Sequence, residues 1–152
     1  MDASGEPGLE SPQELPLTAS DGWPDLVGIH VALIEDNSDT RTMVEEVLRH
    51  CGAMVTTYES AVAAIEQLAE FVPSLFISDL SMPGVDGLEF MRRVRALPPE
   101  RGGGIPALAI TAYHEDFAAP AALQAGFDAY LTKPLKLERL CAAVKDLVAH
   151  AA

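Results

Sequence analysis

Cysteine is scarce in this chain. Only Cys51 and Cys141 occur among 152 residues, far apart and outside any C-x-x-C pattern. That excludes a disulfide framework and a cysteine-based zinc site, and it fits a reducing cytoplasm. Basic residues are also few: 10 Lys and Arg face 23 Asp and Glu, for a formal charge of −13. Nucleic-acid binding leans on Lys and Arg neutralising phosphates, so neither a nucleic acid nor an anionic membrane surface suits as partner. No apolar run approaches the roughly 20 residues that a membrane-spanning helix needs. The start, Met1-Asp2-Ala3-Ser4-Gly5-Glu6, lacks the cationic and apolar stretches of a secretory signal. The four histidines, His30, His50, His114 and His150, fall in no paired metal-binding spacing.

What is present is globular in character, with 49% hydrophobic and 22% charged residues. The length suits one domain. Residues 1–27 stand apart. They hold six acids, four of the 11 prolines and no Lys or Arg. So little apolar material cannot repay the cost of ordering, and the segment reads as an acidic, proline-containing flexible tail or linker. Trp23, the one tryptophan, offers the alternative of a docking segment. Residues 28–152 read as the folded domain.

Within that domain short apolar runs alternate with helical periodicities. Val31–Ile34, Val55–Tyr58, Leu75–Ile77, Ala107–Ile110 and Ala129–Leu131 read as five strands. Met43, Val44, Val47, Leu48 and Cys51 mark a first helix stopped by Gly52. Ala61, Ile65, Leu68 and Val72 mark a second, ended by Pro73. Leu88, Met91, Val94 and Leu97 mark a third, with Asp86 and Glu89 at capping-box spacing. A short fourth helix ends at Gly126. Leu137, Leu140, Cys141, Val144, Leu147 and Val148 mark the fifth. Strand and helix in alternation predict an α/β fold, a five-stranded parallel sheet with helices on both faces. Continuous apolar strands agree, because both faces of such a sheet are covered.

In an open parallel sheet the ligand site lies beyond the carboxyl ends of the strands. The first strand runs out into Glu35-Asp36, the third into Asp79, the fourth into Thr111, and the fifth into Lys133-Pro134. Three carboxylates, a hydroxyl and an ammonium are thus predicted at one edge. Close carboxylates repel and raise each other's pKa. A hard divalent cation such as Mg²⁺ relieves this with all-oxygen ligands. The arrangement suits an anionic group carried near Asp79, its charge shared by metal and lysine.

Four motifs carry a family resemblance: Leu33-Ile34-Glu35-Asp36-Asn37, the run from Ser78 to Gly87, Ile110-Thr111-Ala112, and Tyr130-Leu131-Thr132-Lys133-Pro134. Together and in this order they resemble the receiver domain of two-component response regulators, over residues 29 to about 149. The resemblance implies the flavodoxin-like strand order 2-1-3-4-5. It implies Asp79 as phosphoacceptor, charged by a histidine kinase or a histidine phosphotransfer protein. Asp36, Asp79 and the backbone carbonyl of Ser81 would hold Mg²⁺, and Glu35 would act through a bound water. Lys133, Thr111 and Ala112 would bind the phosphoryl group. Thr111 and Tyr130 would form the switch pair, and Ser81 and Tyr113 would modulate dephosphorylation. The Lys133–Pro134 bond is expected to be cis.

Taken singly, these residues have blander readings: Glu35 and Asp36 as solvated turn acids, Lys133 as a surface lysine, Tyr130 as packing. Cys51 and Cys141 read as core residues, and Gly102-Gly103-Gly104 as loop slack, since no phosphate-loop lysine follows. Pro120 departs from the family pattern. Proline is tolerated only in a helix's first turn, so the fourth helix is expected to start near Pro120, with 113–118 as loop. The chain ends soon after the fifth helix, so output is expected through contact with another protein, the chain being a stand-alone regulator or the receiver of a hybrid kinase. Two other classes stay open: an interaction module that ignores phosphate, and a phosphatase of the haloacid-dehalogenase type. The second lacks its D-x-D, because Leu80-Ser81 follow Asp79.

Overall fold

The computed structural model describes residues 23–68, 70–80, 86–111 and 118–150. Five parallel strands, β1 (His30–Ile34), β2 (Met54–Tyr58), β3 (Leu75–Asp79), β4 (Ala107–Thr111) and β5 (Ala129–Thr132), form one sheet. Their order is 2-1-3-4-5, as expected. The helices are α1 (Ser38–His50), α2 (Ala61–Gln67), α3 (Gly87–Arg95), α4 (Ala118–Ala125) and α5 (Leu137–His150). None of them is long and apolar enough to cross a membrane.

Strand alternation sorts the core into two layers. Val31, Leu33, Leu75, Ile77, Leu108 and Ile110 face α1 and α5. Ala32, Ile34, Phe76, Ala107 and Ala109 face the side that holds α2, α3 and α4. The small residues of that second layer leave room for large neighbours. Phe76 meets Phe90 of α3 edge-on, with ring centroids 5.5 Å apart at 83°, a geometry that the ring quadrupoles favour.

Local chemistry starts the helices where the strands deliver the chain. Asn37 Oδ1 accepts from Thr40 N at 2.9 Å and caps α1. Asp86 Oδ1 accepts from Glu89 N at 2.9 Å and caps α3. Each cap satisfies an amide that has no partner within the helix. Only half of the predicted capping box forms, because the Glu89 carboxylate pairs instead with Arg93 at 3.1 Å and Arg92 at 3.4 Å. Gly52 stops α1 at φ +106°, and Gly126 stops α4 at φ +119°, left-handed conformations that side chains other than glycine's rarely adopt.

Two differences from the sequence reading have physical causes. The second helix ends at Gln67 rather than at Pro73. Proline disfavours helical backbone in the residue before it, which works against a helix running on to Pro73, and Phe71 lies tilted against His30, ring centroids 4.3 Å apart. Helix α4 is described over Ala118–Ala125 and contains Pro120; Ala118 is helical rather than loop, and the rest of the loop expected over 113–118 lies outside the described residues. Of the residues assigned to the tail, 23–27 are described, and they pack on the domain. Leu26 is fully buried and Trp23 lies against the same apolar cluster. Leu26 N donates to Cys51 O at 2.9 Å. A leucine so placed costs about 2–5 kcal/mol on truncation to alanine, which offsets the ordering of a few residues.

Candidate functional site

Because all five strands run the same way, their last residues share one edge of the sheet. Registers fix their positions. Ile34 of β1 pairs with Ser78 of β3, Asp79 with Ile110 of β4, and Thr111 with Thr132 of β5. Asp79 and Thr111 each end a strand whose five residues are all buried. Burial at this edge draws polar side chains into the layer where apolar ones stop.

The acid pair follows β1 directly. Glu35 is fully buried and Asp36 is exposed. The turn is pinned from several sides. Glu35 N donates to Tyr58 O at 3.1 Å, Asn37 N donates to Glu35 Oε2 at 3.0 Å, and Arg41 Nη1 donates to Glu35 O at 2.8 Å. Arg41 carries no signal in the motifs. The one hint was its position: a cation four residues into a helix opposes the macrodipole and so calls for a local partner, here two backbone carbonyls, Glu35 O and Asp36 O.

Lys133 comes from the far side. Its N donates to Thr111 O at 2.8 Å, which fixes the start of the loop after β5. Its peptide bond to Pro134 is cis, as expected. The ammonium lies 3.2 Å from Glu35 Oε1 and 3.5 Å from Asp79 Oδ2. The Glu35 contact is ionic rather than an aligned hydrogen bond, since Oε1 has no hydrogen-bond partner.

One carboxylate oxygen from each of Glu35, Asp36 and Asp79 lies within 4.8 Å of the other two. Octahedral Mg²⁺, with bonds of about 2.0–2.1 Å, puts neighbouring ligand oxygens roughly 3–4 Å apart. A hard divalent cation therefore fits with small side-chain adjustment. Burial pushes the Glu35 carboxyl up to about 7; the Asn37 amide lowers it, the neighbouring Asp79 carboxylate raises it and Lys133 lowers it. Like charges crowded in a shielded site are an arrangement that a cation relieves.

The structure thus brings together Glu35, Asp36, Asp79 and Lys133, with Thr111 buried at the same edge. Tyr130, in β5, is 43% exposed. Ser81, Ala112 and Tyr113 lie outside the described residues.

Comparison with known proteins places this edge in context. The family model for the response regulator receiver domain matches residues 31–145. An uncharacterised 14.6 kDa protein of Leptolyngbya boryana is 40% identical over 110 residues, 72% of this chain and 82% of that protein. The transcriptional regulator NtrC of Escherichia coli K12 is 32% identical over 79% of this chain, which spans only 25% of NtrC. A putative response regulator from Chloroflexus aurantiacus superposes with a TM-score of 0.75 and 31% identity, covering 80% of this chain and 98% of that one. The receiver domain of a sensor histidine kinase from Pseudomonas aeruginosa, solved with magnesium in its active-site cleft, gives 0.74 and 29%, covering 81% and 99%. With its sheet order, its acidic strand ends and these matches in agreement, the chain belongs to the response regulator receiver domain family.

Proposed function

We propose that this chain is a phosphorylation switch in which Asp79 accepts a phosphoryl group from a phosphohistidine on a histidine kinase or histidine phosphotransfer protein. One observation carries the reading: Lys133 Nζ sits within 3.5 Å of carboxylate oxygens of both Asp79 and Glu35, at an edge where Asp36 joins them. An Asp79 oxygen attacks phosphorus, the P–N bond breaks, and the imidazole leaves with the electron pair. Mg²⁺, when bound, supplies positive charge to the phosphoryl oxygens in transfer. Asp36, Asp79 and the Ser81 carbonyl would hold it directly, and Glu35 would act through a bound water. Lys133 neutralises a phosphoryl oxygen, and Thr111 and the Ala112 amide hydrogen-bond to others. The switch runs from Thr111 to Tyr130, whose ring is partly exposed. Ser81 and Tyr113 modulate dephosphorylation. The work is done in the cytoplasm and its output is contact with another protein.

Labelling with a small acyl-phosphate donor tests this. The parent should take up one phosphoryl group only when Mg²⁺ is present, and Asp79→Asn should stay folded and unlabelled. Equal labelling of parent and Asp79→Asn, or labelling indifferent to chelator, would remove Asp79 as acceptor and leave a phosphate-blind interaction module.

A further inference from the structure

Chemistry that the strand-end site does not use lies on the face held by α1 and α5. Cys51 closes α1 and Cys141 lies on α5; both are buried free thiols. They stand 90 residues apart in sequence, yet their sulfurs lie 3.8 Å apart. A disulfide needs about 2.05 Å, so the sulfurs have less than ~2 Å to close.

The pair has a cover. It shares its apolar cluster with Leu26, and Trp23 packs against that cluster. Leu26 N donates to Cys51 O at 2.9 Å. Lys145 Nζ, on α5, donates to Asp25 O at 2.8 Å in an exposed contact. The segment 23–27 is thus clipped between the C-terminal end of α1 and the body of α5.

We propose that Cys51 and Cys141 are an oxidation site, closing to one intrachain disulfide with a hydroperoxide as oxidant, and that residues 23–27 govern access to it. Cys51 reacts first, being 5% exposed where Cys141 is wholly buried. Its sulfur attacks a peroxide oxygen; the O–O bond breaks, one water leaves and a sulfenic acid remains. The Cys141 sulfur then attacks the Cys51 sulfur, the S–O bond breaks and a second water leaves. Two thiols and one hydrogen peroxide give one disulfide and two waters. Burial keeps both thiols protonated in the covered state, and thiols are poor nucleophiles, so opening of the cover sets the rate. The bond would fix the spacing of α1 and α5, the helices that follow the acid turn and the lysine loop.

The experiment treats the full chain with hydrogen peroxide, traps free thiols with an alkylating agent in denaturant, and maps the peptides by mass. A monomer lacking two hydrogens, with Cys51 and Cys141 linked, is expected. The emission of Trp23 should change in step with bond formation and return with reductant. Cys51→Ser and Cys141→Ser should each abolish both signals. Lys145→Ala removes the clip and leaves the core intact, so it should speed closure severalfold at nearly unchanged Tm. The proposal is overturned if the native chain stays fully alkylated under a peroxide dose that oxidises it in urea, or if dimers form instead. A Lys145→Ala rate equal to the parent's overturns the cover.

Discussion

The ammonium of Lys133 rests 3.2 Å from Glu35 Oε1, an oxygen on a side chain with no exposed surface. The contact crosses most of the sheet: Glu35 follows β1, Lys133 follows β5, and β3 and β4 lie between. A cation held over two buried carboxylates from other strands leaves the exposed side of the cluster, where Asp36 stands, for a second cation.

Glu35 should give stability a distinctive pH dependence. Burial raises its carboxyl from 4.5 to about 7, Asp79 adding to the rise and the Asn37 amide and Lys133 opposing it. Between those values the folded chain holds a proton that the unfolded chain has released. The stabilisation is full below the unfolded value and is lost as pH rises through about 7. At about 1.4 kcal/mol per unit the loss is on the order of 3–4 kcal/mol. Urea midpoints in chelator, followed from about pH 4.5 to about pH 8, should fall for the parent and stay flatter for Glu35→Gln. A parent slope no steeper than the variant's rules this out.

Removing the lysine should separate metal binding from transfer. Lys133→Ala takes a positive charge from beside Asp79 and Glu35 without touching a carboxylate. Calorimetry should show Mg²⁺ affinity kept or raised. Labelling with an acyl-phosphate donor should slow by about 10²-fold or more, as for the loss of one stabilising charge in a shielded site. Unchanged labelling would contradict a phosphoryl-binding lysine.

Gly87 brings the start of α3 hard against the end of β3. Its N donates to Leu80 O at 3.1 Å, and a Cβ there would run into Asp79 O and lie 2.7 Å from Leu80 Cα. Gly87→Ala must push the strand end that carries Asp79, at about 1–3 kcal/mol. Urea denaturation should show that loss, and labelling should fall beyond what the unfolded fraction accounts for. Parent-like labelling in a destabilised variant would show that Asp79 keeps its place.

Arg95 pins the opposite edge. Its guanidinium donates to Gly126 O at 2.9 Å, Gly103 O at 2.9 Å and Ile105 O at 2.6 Å, and pairs with Asp128 at 3.1 Å. Asp128 in turn accepts from Ala107 N at 2.8 Å. Arg95→Ala should cost about 2–4 kcal/mol, less than the sum of those bonds because part of the side chain meets water. Arg95→Lys should recover little, lacking the fork. The measurement is urea denaturation beside phosphoryl labelling, and labelling should be untouched. A cost under about 0.5 kcal/mol would place Arg95 among ordinary surface residues.

Most strands and helices were legible because apolar spacing is a local property. Val31–Ile34 and Ala107–Ile110 are short runs flanked by breakers, and α5 repeats its apolar residues at helical intervals. Boundaries failed where something distant intervened. The α2 end was misread because Val72 continues a helical spacing while Phe71 lies against His30 of β1. Residues 23–27 read as tail because composition counts a lone leucine as little, whereas Leu26 finds a place among α1 and α5 residues. Asp79, Asp36 and Lys133 were legible as strand-end residues in motifs; Arg41 was not, since its work is done on backbone carbonyls.

By itself the amino-acid sequence determined the alternation of strands and helices, and which polar residues end each strand. Both follow from periodicities within a few residues, the spacing of side chains along a strand or around a helix. Only the tertiary structure decided which of those ends meet. The approach of Lys133 to Glu35, the meeting of Cys51 with Cys141 and the four-way grip of Arg95 join residues distant in the chain. Those distances depend on strand order, register and packing of helices onto the sheet, which no local pattern encodes.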